Sequence, residues 1–306
     1  MTIRVEWVAV DWGTTNLRAW GLDSNGSLVF SRASEKGMGH IERTDYPAVL
    51  GELLDGVEAA SGAALDVLIC GMAGARQGWL EAPYLEVPAD LRGLLSGAVR
   101  PDMAGPVSVA ILPGVCQKNS EAGNVMRGEE TQLLGLSAME PDFSGVVCMP
   151  GTHSKWASLS RGRIDGFATA MTGEVYEVLS QHSVLRRSLD GNLDGPARTD
   201  GFEAGSDAGL AHPEHLLSQL FQVRAGSLLS GRQPDWSAGY LSGLLIGSEI
   251  GANRNWIDGR TVPLIGSPAL CALYARTLEK IGIATRLVDA SDAVLAGLKA
   301  ARAFAS

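Results

Sequence analysis

A unit that occurs twice constrains this sequence more than any other feature. In the first copy, residues 5–10 read as a strand and lead into Asp11-Trp12-Gly13-Thr14-Thr15-Asn16. A second strand over 17–22 turns at Asp23-Ser24-Asn25-Gly26, and a third follows over 27–32; Asn-Gly between β-prone runs is a hairpin signal. In the second copy, Val146-Val147-Cys148-Met149 leads into Pro150-Gly151-Thr152-His153-Ser154. A second strand runs to Arg161-Gly162-Arg163, and a third covers 164–171. Laid over one another, Gly13-Thr14 falls on Gly151-Thr152 and Ala19 on Ala157. A repeat of this kind predicts two α/β domains, which suits 306 residues at roughly 100–200 residues per domain. Elsewhere, apolar spacing predicts a helix over 46–60 and a strand over 66–71, and strands alternate with helices to the end, the α/β pattern.

The chemistry of the repeated turn points to phosphate. Glycine lets backbone amides approach an anion closely, and threonine adds a hydroxyl donor. A tight turn between strands aims those amides one way, and two such hairpins across a cleft would hold a triphosphate from both sides. Asp11, at the end of the first strand, is placed to bind Mg²⁺, which takes few carboxylates and many waters. The sequence has no Walker A motif and no Gly-x-Gly-x-x-Gly leading into a helix. The competing reading is that both turns are plain hairpin connections chosen for backbone geometry.

Composition narrows the partners. A net charge of −9, without a run of Lys and Arg, argues against nucleic acid or an anionic membrane. With 45% hydrophobic and 19% charged residues the chain is ordinary globular material. It has no apolar run of about 18 residues that would span a bilayer. Its N-terminus enters a strand without a signal-peptide pattern. Cys70, Cys116, Cys148 and Cys271 are widely spaced, and buried free thiols in a reducing cytoplasm are expected.

Four segments in order carry a resemblance. Asp11-Trp12-Gly13-Thr14-Thr15-Asn16 and Gly151-Thr152-His153-Ser154 resemble the two phosphate motifs of the sugar-kinase branch of the actin/hexokinase/Hsp70 superfamily. Pro263-Leu264-Ile265-Gly266-Ser267-Pro268-Ala269-Leu270, with a helix through Lys280, resembles its adenosine motif. Val288-Asp289-Ala290-Ser291-Asp292 onward to Gly297 is similar to its closing helix. Gly71-Met72-Ala73-Gly74-Ala75-Arg76-Gln77-Gly78-Trp79, Ile111-Leu112-Pro113-Gly114-Val115 and Met171-Thr172-Gly173-Glu174-Val175-Tyr176 look like the 2-dehydro-3-deoxygalactonokinase family in particular.

That resemblance implies a two-domain, ribonuclease H-like fold with an interdomain nucleotide cleft. The domains would cover 1–137 with 289–306, and 138–288. It implies transfer of a phosphoryl group from ATP, with Mg²⁺, to the terminal hydroxyl of 2-dehydro-3-deoxygalactonate. Asp11 would hold the metal. Gly13, Thr14, Thr15, Asn16, Gly151, Thr152, His153 and Ser154 would contact phosphate, and Gly266 and Ser267 the adenosine. Arg127-Gly128-Glu129-Glu130 resembles the connecting helix that carries the catalytic acid. Many such kinases have Gly-Asp there, so Glu129 is favoured as base, Glu130 stands as the alternate, and a helix cap is the structural reading. Arg76, Gln77, Trp79 and Arg127 are the substrate candidates, because Arg reads carboxylates bidentately and Trp offers a flat face. Lys118 and Lys155 are weaker candidates, and the His153 position has no account from sequence. The expected partners are the sugar acid, ATP and a second copy in a homodimer. A kinase of another sugar acid, or a nucleotide-switched interaction protein, is the rival reading.

Overall fold

The computed structural model describes residues 2–118 and 123–304. The chain forms two compact units: Met1–Ser144 with Leu159–Gly166 and Ala290–Ser306, and Gly145–Ser158 with Phe167–Asp289.

The first unit begins with β1 (Ile3–Val5), β2 (Trp7–Trp12), β3 (Leu17–Leu22) and β4 (Leu28–Ser34). After α1 (Tyr46–Leu53) come β5 (Val57–Ala59), β6 (Leu65–Gly71), β7 (Tyr84–Glu86), β8 (Ala89–Asp90), β9 (Val107–Ile111), β10 (Gly114–Gln117) and β11 (Asn124–Met126), then α2 (Glu129–Met139). Its main sheet has the order β4-β3-β2-β6-β9. β2, β3 and β4 are antiparallel neighbours, while β6 and β9 join parallel to β2. Burial follows the strands: Val8, Val10, Trp12, Leu17, Ala19 and Ile69 are fully enclosed.

The second unit opens with β12 (Ser144–Met149), β13 (Ser154–Ser160) and β14 (Arg163–Ala170). The helices α3 (Thr172–His182), α4 (Arg198–Ala211), α5 (Leu216–Ser230) and α6 (Pro234–Ala252) follow. β15 (Val262–Gly266), α7 (Pro268–Glu279) and β16 (Thr285–Asp289) complete it, and α8 (Ala290–Ala303) returns to the first unit. The strands follow the order β14-β13-β12-β15-β16, with β15 parallel to β12 and to β16, in a six-stranded sheet in which β8 pairs with the start of β14. Both units thus run a three-stranded meander and then add two further strands beside the first. The duplication that the paired Gly-Thr turns suggested is present in the topology.

Boundaries differ from expectation in three places. The first strand is broken: β1 pairs with β5, and β2 enters the main sheet. The helix expected over 46–60 stops at Leu53, because Leu54 leaves helical dihedrals and Gly56 adopts φ +71°. The chain then pairs in parallel with β1, Ile3 opposite Val57. The first unit also extends to 144 and includes the tip of the β13–β14 hairpin, where Leu91 N donates to Gly162 O and Arg161 N to Phe143 O.

Helices in both units meet through glycine. In the second, Gly201, Gly205 and Gly209 of α4 face Gly239, Gly243 and Gly247 of α6, where an added Cβ would come within 2.0–2.5 Å of the opposite backbone. Among the described residues no helix is long and apolar enough to cross a membrane.

Candidate active site

The first Gly-Thr turn is a braced loop. Gly13 N donates to Asn16 O at 2.8 Å, closing it between β2 and β3. Its carbonyls are taken up from outside: Met38 N donates to Gly13 O, Gly39 N to Thr14 O and Gly37 N to Thr15 O, at 2.8–3.0 Å. Gly37 is required there, since a Cβ would lie 2.3 Å from the Thr15 carbonyl carbon. With its acceptors occupied, the loop leaves Thr14, Thr15 and Asn16 exposed, a donor-rich surface suited to an anion. The bracing segment 37–39 was missed in the sequence, and its Gly-x-Gly spacing is the only local signal.

Asp11 sits in β2 opposite Arg18 on one side and Cys70 on the other. The Cys70 thiol donates to Asp11 Oδ1 at 3.8 Å, and Arg18 Nη1 donates to Ser291 Oγ at 2.5 Å. Burial raises the Asp11 pKa; Arg18 and the Cys70 contact oppose this, and the Glu129 charge adds to it. One carboxylate at a strand end, already disfavoured as an anion beside a second carboxylate, is a site where a divalent cation relieves charge. The donor set therefore fits Mg²⁺.

Glu129 arrives beside it through Gly128, whose φ is +107°. A Cβ on Gly128 would lie 3.5 Å from the Gly71 Cα, so α2 starts close against the end of β6. Both glutamates fall in the first turn of α2, where the helix N-terminus favours acids. Glu129 is partly exposed, and its Oε2 accepts from Arg127 N at 3.0 Å. Glu130 is 0% exposed. It accepts from Gly128 N at 2.7 Å and Thr131 Oγ1 at 3.1 Å. Burial, then the Glu129 charge, push its pKa up to about 8. Glu130, the alternate base, is enclosed, and its side chain has no surface to offer a substrate hydroxyl.

Among the substrate candidates, Arg127 stands out. Its Nη2 donates to Ala82 O at 2.8 Å and its guanidinium lies 4.4 Å over the Tyr84 ring. Its Nε and Nη1 are buried without a partner among the described residues. Gly74 makes the room: a Cβ there would meet Nη1 at 2.7 Å. Two buried orphan donors on a cation are costly unless something anionic completes them. Arg76 and Gln77, by contrast, point into solvent; the Arg76 side chain is 81% exposed and pairs with Glu81 at 3.5 Å. Trp79, expected to offer the sugar a flat face, is buried against Tyr46 and Trp12, with ring centroids 5.8 and 6.4 Å away. Lys118 is spent on Glu86 at 3.2 Å, at the surface.

In the second unit, Thr152 and His153 are exposed at the turn while Ser154 is buried. His153 Nε2 pairs with Glu174 of α3, which accounts for the histidine. Lys155 is buried, 4% exposed, and its Nζ donates to His153 O at 3.3 Å. The first turn of α3 presses on the loop: Glu174 N donates to Thr152 O at 3.1 Å, and a Cβ on Gly173 would lie 2.6 Å from Gly151 O. Behind it, Ser154 Oγ meets Tyr274 Oη at 2.8 Å, and Tyr274 donates to the Glu249 carboxylate at 2.5 Å. Trp156 Nε1 and Thr172 Oγ1 also donate to Glu249. Burial raises the Glu249 pKa and those donors oppose it. No sequence signal marked Glu249 or Tyr274.

Beside this loop lies a cavity of about 210 Å³, walled by Gly151, Tyr176, Arg198, Leu270, Leu273 and Tyr274 among others. Helix α7 supplies the last three. Ser267 caps it, accepting from Leu270 N at 3.4 Å, with Pro268 at the first position. Gly266 lets β15 approach Pro150: a Cβ would be 2.9 Å from the Pro150 carbonyl. Gly266 and Ser267 thus seat the helix that forms the wall.

The chain is similar to known proteins along nearly its whole length. Residues 11–301 match the family model described as 2-keto-3-deoxy-galactonokinase. The chain is 42% identical to the probable 2-dehydro-3-deoxygalactonokinase DgoK1 of Rhizobium meliloti, over 98% of both chains. It is 36% identical to the 2-dehydro-3-deoxygalactonokinase of Escherichia coli K12, over 98% of this chain and 97% of that one. A crystal structure assigned to a 2-dehydro-3-deoxygalactonokinase of Sinorhizobium meliloti superposes with a TM-score of 0.86 at 41% identity, covering 97% and 98% of the two chains. Component A of the Acidaminococcus fermentans (R)-2-hydroxyglutaryl-CoA dehydratase, at 14% identity and a TM-score of 0.53, shares the fold alone. The fold is α/β and is the one shared with the Sinorhizobium meliloti structure.

Proposed function

The chain belongs to the 2-keto-3-deoxy-galactonokinase family, and from that premise we propose how its residues divide the work. It is a phosphotransferase of galactonate catabolism, phosphorylating 2-dehydro-3-deoxygalactonate at the expense of ATP. The observation that carries the reading is identity of 36–42% to two such kinases along 98% of the chain.

The acceptor is the terminal (6-) hydroxyl. Glu129 takes the hydroxyl proton as the oxygen attacks the γ-phosphorus; the bond from that phosphorus to ADP breaks and ADP leaves with its electron pair. General-base help of this kind contributes about 10²–10⁴-fold. Its partial exposure supports this role, and the burial of Glu130 opposes the alternative. The orphan donors of Arg127 support a contact with the substrate carboxylate. Arg76 and Gln77, both exposed, stand behind Arg127 as candidates for that contact. Mg²⁺ on Asp11 would neutralise charge on the phosphoryl oxygens. The exposed donors of Thr14, Thr15 and Asn16 contact phosphate, as do those of Thr152 and His153, while Gly13 and Gly151, their N–H groups turned into the loops, permit the close approach and Ser154 supports its loop from behind. The adenosine occupies the cavity beside Leu270 and Leu273. Four buried, unpaired cysteines support a reducing, cytoplasmic setting.

The test is an ADP-release assay with Mg²⁺, ATP and 2-keto-3-deoxy sugar acids, galactonate and gluconate forms side by side. Turnover confined to the galactonate form, reduced about 10²–10⁴-fold in Glu129→Gln with MgATP binding intact, is the expected result. Turnover of a neutral sugar but no keto-acid would keep the kinase and sink the substrate.

A further inference from the structure

We propose that Glu249, in the last turn of α6, is the positioning residue of the second Gly-Thr loop, fixing the direction of the hydrogen bonds that hold it. The inference rests on reading that loop as a phosphate contact. Glu249 is 6% exposed, yet it is well satisfied: Trp156 Nε1 donates to Oε1 at 2.8 Å, while Thr172 Oγ1 and Tyr274 Oη donate to Oε2. These partners come from β13, α3 and α7, the elements that surround residues 151–154.

An ionised carboxylate only accepts. The Tyr274 proton is therefore committed to Glu249, and Ser154, 2.8 Å from the Tyr274 oxygen, gives its own proton to that oxygen or to the Glu249 carboxylate itself. The Ser154 oxygen in turn is left to accept, and Gly151 N lies 3.5 Å from it. Gly151 N–H, Ser154, Tyr274 and Glu249 thus form one polarised line that ends inside the loop. Chains of this sort reinforce one another in a low dielectric. A second route reaches the same carboxylate: Thr172 begins the helix whose next residues, Gly173 and Glu174, press on Gly151 and Thr152. The two contacts on the rear of the loop therefore converge on Glu249.

An amide at this position presents a donor to groups that already donate. In Glu249→Gln the Tyr274 hydroxyl turns toward Ser154, whose own proton turns toward Gly151 N, and the loop is pushed off its support. Tyr274→Phe cuts the line elsewhere and leaves Trp156 and Thr172 on the carboxylate. The experiment is calorimetric titration of MgATP into both single variants and the double variant, with KM for the sugar acid measured in parallel and folding checked by thermal melting. Each single variant should weaken MgATP by about tenfold, with KM for the sugar acid within about twofold of wild type. The double variant should be no worse than the poorer single one, as expected for groups in one line. Unchanged MgATP affinity in folded variants, additive losses, or equal loss for both substrates would overturn the proposal. If Glu249→Gln does not fold, Tyr274→Phe decides alone. A wild-type protein that binds MgATP but phosphorylates no keto-acid would overturn the proposed substrate and leave the nucleotide titration able to decide the loop.

Discussion

Glu129 and Glu130 are adjacent in sequence and opposite in environment, and no local pattern separates them. What separates them is Gly128, whose positive φ swings the first turn of α2 so that one side chain stays partly exposed and the other points inward. The inward one titrates in a predictable direction. Unfolded, Glu130 ionises near 4.5; folded, its pKa is about 8. Folding therefore retains a proton across that window. The stability contributed is fully present below about pH 4.5 and is lost as pH rises through 8. The loss is on the order of 3–5 kcal/mol. Glu130→Gln cannot ionise and keeps the acceptor for Gly128 N. Its melting temperature should match wild type near pH 4 and exceed it increasingly toward pH 8.5; parallel curves would refute the protonated state. The phosphate loops were legible for the reason this pair was not: close backbone approach demands glycine, and glycine shows in the sequence, whereas burial at a helix start does not.

At the scale of elements, strands were read well and helix contacts poorly. β3 occupies residues 17–22 as expected, because both its ends are turns. The segment 57–59 was read as helix because three residues are too few to distinguish period 2 from 3.6; only its partner β1 makes it a strand. Helix α6 defeats periodicity altogether, being buried on nearly every face. Its glycines at 239, 243 and 247 mark where α4 lies against it, a four-residue spacing visible in the sequence but interpretable only with the partner helix known. Gly243→Ala tests that contact, since the new methyl would sit 2.1 Å from Phe202 O. Overpacking of this kind costs about 1–3 kcal/mol. Urea unfolding should show the midpoint falling with the slope unchanged. A loss below about 0.5 kcal/mol, the range of surface substitutions, would mean the helices separate without cost.

At the scale of the whole molecule, the protein carries −9 and its proposed substrates are anions. Long-range repulsion must therefore be overcome by local donors, and the two contributions respond differently to salt. The Debye length falls from about 30 Å at 0.01 M to about 8 Å at 0.15 M, which removes most of the repulsion, whereas a buried pair is screened far less. Arg127, with Nε and Nη1 buried, would keep its attraction for a carboxylate. For a monoanion near a molecule of this charge and size the relief amounts to roughly twofold in kcat/KM. At saturating MgATP and fixed free Mg²⁺, kcat/KM for the sugar acid should therefore rise about twofold across that range. An exposed cation such as Arg76 would instead lose its attraction as salt increased, and the rate would fall. The sign of the salt dependence thus discriminates between the enclosed arginine and the exposed one, without altering a residue of the protein.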